Sequence, residues 1–238
     1  QLPFSLSRVI MGSTIKNVEA ITQIDLNMMS IFNKRTQRSL QKSYRRVCGS
    51  DGMADNAFSK TVRGKDYIVF CPGKLLSAIE EGHDTSHNFN NIFRTMAHEI
   101  GHHIDYNEHE RTYYKYLSCI KNKFEGELNF KPKGIVQESS KDNPIKKYFN
   151  VKNHMGEITA DYWAVQAIQE YFNSAEAPST RSEKLTFLRE SFGALCGARG
   201  LDGVHPSGKF RITNLLRQDP YIHRVMGCNG NPKGCTLK

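Results

Sequence analysis

No apolar run in this 238-residue chain approaches the length of a bilayer-spanning helix, and the mean hydropathy of −0.56 predicts a soluble protein without an anchoring segment. None of the six cysteines forms a C-x-x-C pair, which argues against a cysteine-built zinc site. No N-x-[ST] sequon occurs, which leans towards a bacterial exported protein over an animal secreted one. There is no internal repeat and no low-complexity stretch. The chain opens on Gln1 and lacks an initiating Met, which reads as a processed product or an excised domain. Removal of a signal peptide would place it in a secreted or periplasmic compartment.

Apolar residues make up 38% of the chain, enough for one core-forming domain over residues 1–238. The even cysteine count predicts three disulfides among Cys48, Cys71, Cys119, Cys196, Cys228 and Cys235, with fifteen connectivities open. Cys228 and Cys235 lie in a Gly/Asn/Pro-rich tail that lacks core-forming residues. Acidic residues are outnumbered, and the net charge is +9. Lys34, Arg35, Arg38, Lys42, Arg45 and Arg46 crowd the end of an expected helix. Lys131, Lys133, Lys141, Lys146 and Lys147 form a second cluster. Such patches either keep a helix face solvated or hold an anionic surface or polymer. No interleaved aromatics accompany them, which argues against nucleic acid.

Apolar spacing predicts a helical segment over 14–47, interrupted near 25–30, and short strands at 56–58 and 67–70 with a turn between Lys60 and Lys65. Helices are expected at 75–81, 88–106, 155–172 and 183–196, and another opening at 210–216. Residues 107–152 read as irregular structure with short helices, and the tail from Gly227 as loop. These elements define a mostly helical α+β fold with one small sheet. Residues 1–50 form an N-terminal helical segment, 51–106 the edge strands and first strong helix, and 107–238 the second strong helix and a C-terminal lobe.

Residues 98–102 read His-Glu-Ile-Gly-His. Four residues on a helix advance about 6 Å and just over one turn, so His98 and His102 share a face and can reach one Zn²⁺. Glu99 stands one position round, where it can take a proton from water at the metal. Residues 157–161 read Glu-Ile-Thr-Ala-Asp on the second helix. Glu157 is the candidate third ligand. Asp161, on the same face, can accept the free ring N–H of a ligand histidine and fix its tautomer. A water-exposed helix N-terminus is the bland alternative for Glu157.

His-Glu-x-x-His with a later Glu-x-x-x-Asp on a separate helix resembles the gluzincin arrangement, and most closely the C-terminal catalytic part of neprilysin-type metallopeptidases. Residues 98–105, HEIGHHID, are similar to that family's zinc helix, including Asp105 as a partner behind the ligands. Residues 203–212, GVHPSGKFRI, resemble its late His-Ser-Pro-Gly-Lys-Phe-Arg segment with Ser and Pro exchanged. Asn56-Ala57-Phe58, followed by Ile68-Val69-Phe70, is a weaker match. The resemblance spans roughly 55–235 and implies that His205 stabilises an oxyanion, that Arg211 binds a substrate carbonyl, and that Asn56 and Ala57 hold a peptide main chain. Two departures stand out. Only about fifty residues precede the matching part, so the family's size limit on substrates is not carried over, and Ser59 replaces the Tyr expected after Asn-Ala-Phe. HtpX-type membrane peptidases are a second resemblance, through the zinc helix, an Asn-Ala-Phe segment and a late His-Pro…Arg-Ile, but their membrane spans have no counterpart here.

The expected function is a zinc-dependent endopeptidase with one Zn²⁺ per chain, acting on peptide or protein substrates. The alternative is a non-catalytic zinc-binding module that engages an anionic polymer or a protein partner through its basic face.

Overall fold

The computed structural model describes residues 18–21, 34–78, 85–107, 109–124, 152–196, 205–232 and 234–237. The second lysine cluster, the interruption near 25–30, and Gly203 and Val204 lie outside them.

Within these residues the chain is mostly helical with one small sheet. Strands β1 (Val18–Ile21), β2 (Ala57–Val62) and β3 (Lys65–Phe70) are ordered β1-β3-β2, with β1 parallel and β2 antiparallel to β3. The β2–β3 hairpin turns at Arg63-Gly64, both at positive φ (56° and 73°), the backbone that a two-residue turn matching strand twist demands. Strand β1 corrects the expected helix at these positions. Four residues carry too little period to be told from a helix turn, and pairing with β3 decides the outcome.

Helix α1 (Lys34–Cys48) covers one face of the sheet: Leu40, Tyr44 and Cys48 pack on Phe58, Tyr67, Val69 and Cys71. Helix α2 (Pro72–Ala78) follows β3 directly. Helix α3 (Thr85–Gly101) covers the opposite sheet face: Phe93, Met96, Ala97 and Ile100 join Ala57, Ile68 and Phe70. The alternation of β2 and β3 side chains between these two clusters is the strand period of two.

Helix α4 (Glu110–Phe124) is a longer element than the irregular structure with short helices expected over 107–152. Its buried stripe, Tyr113, Tyr116, Leu117 and Ile120, is helical in spacing but half aromatic and flanked by lysines. Helix α5 (Lys152–Phe172) is central. Met155 and Ile158 pack towards α4, whereas Ala164, Val165 and Ile168 pack towards α3. A helix apolar on two faces belongs inside a fold. Helix α6 (Arg181–Phe192) starts at a Thr180–Glu183 capping box. The expected last helix at 210–216 is a single α-turn, Gly208–Phe210, continued by a π-helix, Arg211–Leu216. Helix α7 (Pro220–Met226) follows, with Asp219 as N-cap and Gly227 left-handed at its end.

Two disulfides form, Cys48–Cys71 and Cys119–Cys235, and the expected third does not. Arg181, at the start of α6, donates to the carbonyls of Val225 and Met226 at 2.9 Å, so Cys228 lies near that end. Cys196 follows the other end of α6, about 20 Å away by helix rise. A disulfide requires Cα atoms within about 7 Å, so these two thiols stay apart. Among the described residues no helix is long and apolar enough to cross a membrane.

Candidate metal centre

Helices α3 and α5 cross where both are small. A methyl group on Gly101 would meet the Ala160 Cα and carbonyl oxygen at 3.0 Å. This close approach brings the last turn of α3 against the first turns of α5. Glu157 is therefore only 6% exposed, which corrects the water-exposed alternative.

His98, His102 and Glu157 converge, their facing ligand atoms all within 4.8 Å of one another. The His98 and His102 rings are 4.7 Å apart and nearly perpendicular. His98 Nε2 is 3.0 Å from Glu157 Oε2, and His102 Nε2 is 3.4 Å from Glu157 Oε1. The other nitrogen of each ring is already engaged: His98 Nδ1 lies 2.9 Å from Asp161 Oδ1, and His102 Nδ1 2.8 Å from Asp105 Oδ2. Carboxylates accept from N–H, so each ring holds a proton on Nδ1, which leaves Nε2 as the atom that would offer a lone pair to a metal beside Glu157.

The donor set fits a metal ion. Glu157 Oε2 is buried and has no hydrogen-bond partner, although imidazole nitrogens surround it. Two imidazole nitrogens and a carboxylate oxygen brought this close could hold one cation between them. Ligands held at about 2.0–2.1 Å around a tetrahedral ion stand about 3.4 Å apart, close to the separations seen. In the bare protein, burial opposes the Glu157 carboxylate, but His102 and His98 outweigh it and hold it well below the carboxylate range. Burial likewise opposes a proton on His102, yet Asp105 and Glu157, with help from Glu99, raise it well above the usual imidazole value.

Behind the ligands, Asp161 collects three donors. Arg211 Nε and Nη2 reach its two oxygens at 2.6 and 2.8 Å, and Arg94 Nη2 reaches Oδ1 at 2.6 Å, beside His98. Burial would raise Asp161, but Arg211, Arg94 and His98 hold it well below its ordinary value. Arg94 pays for this position: burial, then repulsion from Arg211, lowers its pKa, and its guanidinium lies 5.6 Å from the centre of the Phe192 ring. Sequence reading missed Arg94. The signal was its place four residues before His98 on the same helix face.

Asp105 is set by its own turn. It accepts from the Asn107 N–H at 2.6 Å, and Tyr113 donates to the neighbouring Ile104 carbonyl while accepting from Trp163 Nε1 at 2.6 Å. Thr159 Oγ1 accepts from Tyr106 N at 2.9 Å and ties this turn to α5.

Glu99 is 8% exposed, and its charge acts on both His102 and Arg211. His205 comes from the loop before the π-helix. Its Nε2 lies 3.2 Å from Glu157 Oε2, and its side chain is 35% exposed. Arg211 is buried and committed to Asp161. Asn56 is exposed, and its Oδ1 accepts from Ala57 N at 2.9 Å. Cys71 N donates to the Asn56 carbonyl, so with the hairpin register Ala57, Ser59 and Thr61 turn their peptide groups to the outer edge of β2. Ala57 packs with α3, which places this edge beside the helix of His98 and His102.

No protein-family model matches the chain, and a search of curated proteins finds no match.

Proposed function

We propose that the chain is a zinc-dependent endopeptidase of the gluzincin type, exported to an oxidising compartment. The observation that carries this reading is the convergence of His98 Nε2, His102 Nε2 and Glu157, with the charge of buried Glu99 acting on His102. All-nitrogen-and-oxygen coordination with three protein ligands is the pattern of a catalytic zinc that keeps one position open, and closed structural sites hold four. A divalent ion in this set supplies Lewis acidity, polarising a carbonyl and acidifying water.

The chain's own residues do the rest. The outward carbonyl of Ala57 and the outward peptide groups of Ser59 pair with an extended substrate strand. Glu99 takes the proton of the attacking water and hands it to the leaving amine. His205, partly open to solvent, donates to the charge that develops on the carbonyl oxygen. Arg211 neutralises Asp161 and thereby holds His98 in one tautomer. Two disulfides in a chain of this size support an oxidising location.

The test compares wild type with Glu99→Gln on unfolded protein and a peptide library. Wild type cleaves, and chelator stops it. Glu99→Gln binds one zinc and does not cleave. Full activity in Glu99→Gln discards the mechanism, and metal-loaded wild type without turnover favours the non-catalytic module.

A further inference from the structure

We propose that the outer face of α1 is a docking surface for a linear polyanion that carries phosphate or sulfate groups. This does not rest on the peptidase reading. The fifteen residues of α1 include six basic and no acidic side chains. Helix stability explains only Arg45 and Arg46, which the macrodipole favours in the last turn; it does not explain Lys34 and Arg35 in the first turn, where acids are favoured, or Arg38 and Lys42 between.

Thr36, Leu40, Ser43, Tyr44 and Cys48 are buried, and Arg38, Lys42, Arg45 and Arg46 are exposed on the other side. Steps of three to four residues place these cations at intervals of about 6 Å, in a row about 12 Å long. A fifth cation is fixed beside them: Lys60 on β2 donates to Ser43 Oγ at 2.6 Å and to the Ser39 carbonyl at 3.3 Å. Burial, then the charges of Arg46 and Lys42, lowers its ammonium pKa. Among the described residues, none of Arg38, Lys42, Arg45 and Arg46 meets a carboxylate. Among the described residues their mutual repulsion is left to solvent and external anions.

The occupant follows from what the face presents. Tyr44, the one aromatic of α1, is buried, so no ring is offered for stacking on bases. Among the described residues of α1, no exposed apolar side chain accompanies the cations to enter a bilayer. Arg38, Gln41, Lys42, Arg45 and Arg46 line an open, shallow depression on this face, and its charge suits an extended polyanion. Because α1 and α3 cover opposite faces of the sheet, a polymer bound here leaves the metal centre uncovered.

Heparin and long-chain inorganic polyphosphate serve as sulfate and phosphate probes, titrated against salt with the full chain. The variant R38Q/K42Q/R45Q/R46Q is expected to bind at least tenfold more weakly, with a log–log salt slope smaller by about 3. A control, R63Q/R111Q/K115Q/R189Q, removes the same charge from other exposed positions and keeps binding within about twofold. Equal weakening in both variants overturns the proposal, because net charge alone would explain it. Tighter binding to phosphatidylglycerol vesicles or to duplex DNA than to either probe overturns the choice of occupant. If the fourfold variant does not fold, single R45Q and K42Q variants each lose about twofold or more, and an unchanged affinity in both is the negative result.

Discussion

A methyl group on Gly156 would stand 2.8 Å from the Asp105 carboxylate oxygen that holds His102, and 2.3 Å from Asn107 Nδ2. Asn107 is exposed and can swing away, but Asp105 is buried and cannot move without turning the His102 ring. Gly156→Ala is expected to fold and to lose about tenfold in zinc affinity by chelator competition. An unchanged affinity would show that Asn107 alone absorbs the methyl group.

Arg94 and Arg211 share one carboxylate, and the second guanidinium decides how rigidly His98 is held. Arg94→Gln should weaken zinc binding about 10- to 100-fold while Arg211 keeps its own contacts. Arg94→Lys should recover part of this, since an ammonium restores the charge but not the planar fork. Loss of a buried partner also costs stability, about 3 kcal/mol, read as a lower urea midpoint.

His205→Phe should retain zinc and lower kcat at least tenfold with KM little changed, as removal of an oxyanion donor does. A changed KM at constant kcat would make His205 a substrate-binding residue.

Alkaline pH should destabilise the protein through Tyr113. Burial, reinforced by Asp105 and Tyr162 and opposed by the Trp163 hydrogen bond, pushes its phenol up to about 12 from 10.0. The folded chain keeps this proton longer than the unfolded one, so its contribution is whole below pH 10 and disappears as pH climbs to 12. Discounted for screening by solvent, the loss is about 2 kcal/mol over the whole window, and about half of it is reached by pH 11. Urea unfolding at about pH 9 and about pH 11, with Tyr113→Phe as the reference, measures it.

The helix bearing His98 was legible because Phe93, Met96 and Ile100 repeat at helical spacing and are buried. The pairing of Glu157 with Asp161 was legible because four residues return to one face. Helix α4 was not, since tyrosines and lysines blur its apolar stripe, and β1 was not, since it exists through its pairing with β3. Arg94 looked like any surface arginine on a helix until Asp161 supplied the reason for burying it. The absence of a third disulfide could not be read from cysteine spacing, because α6 alone sets the separation of Cys196 and Cys228.

The two imidazoles come from the end of α3 and the turn that follows it, the carboxylate from α5, and the buttressing guanidiniums from α3 and the π-helix. A chain still on the ribosome, or one only half collapsed, holds two histidines a turn apart and nothing to complete the cage. On the proposed reading, ion capture would report that folding has finished, and a fluorescent zinc indicator would follow refolding without any label on the protein.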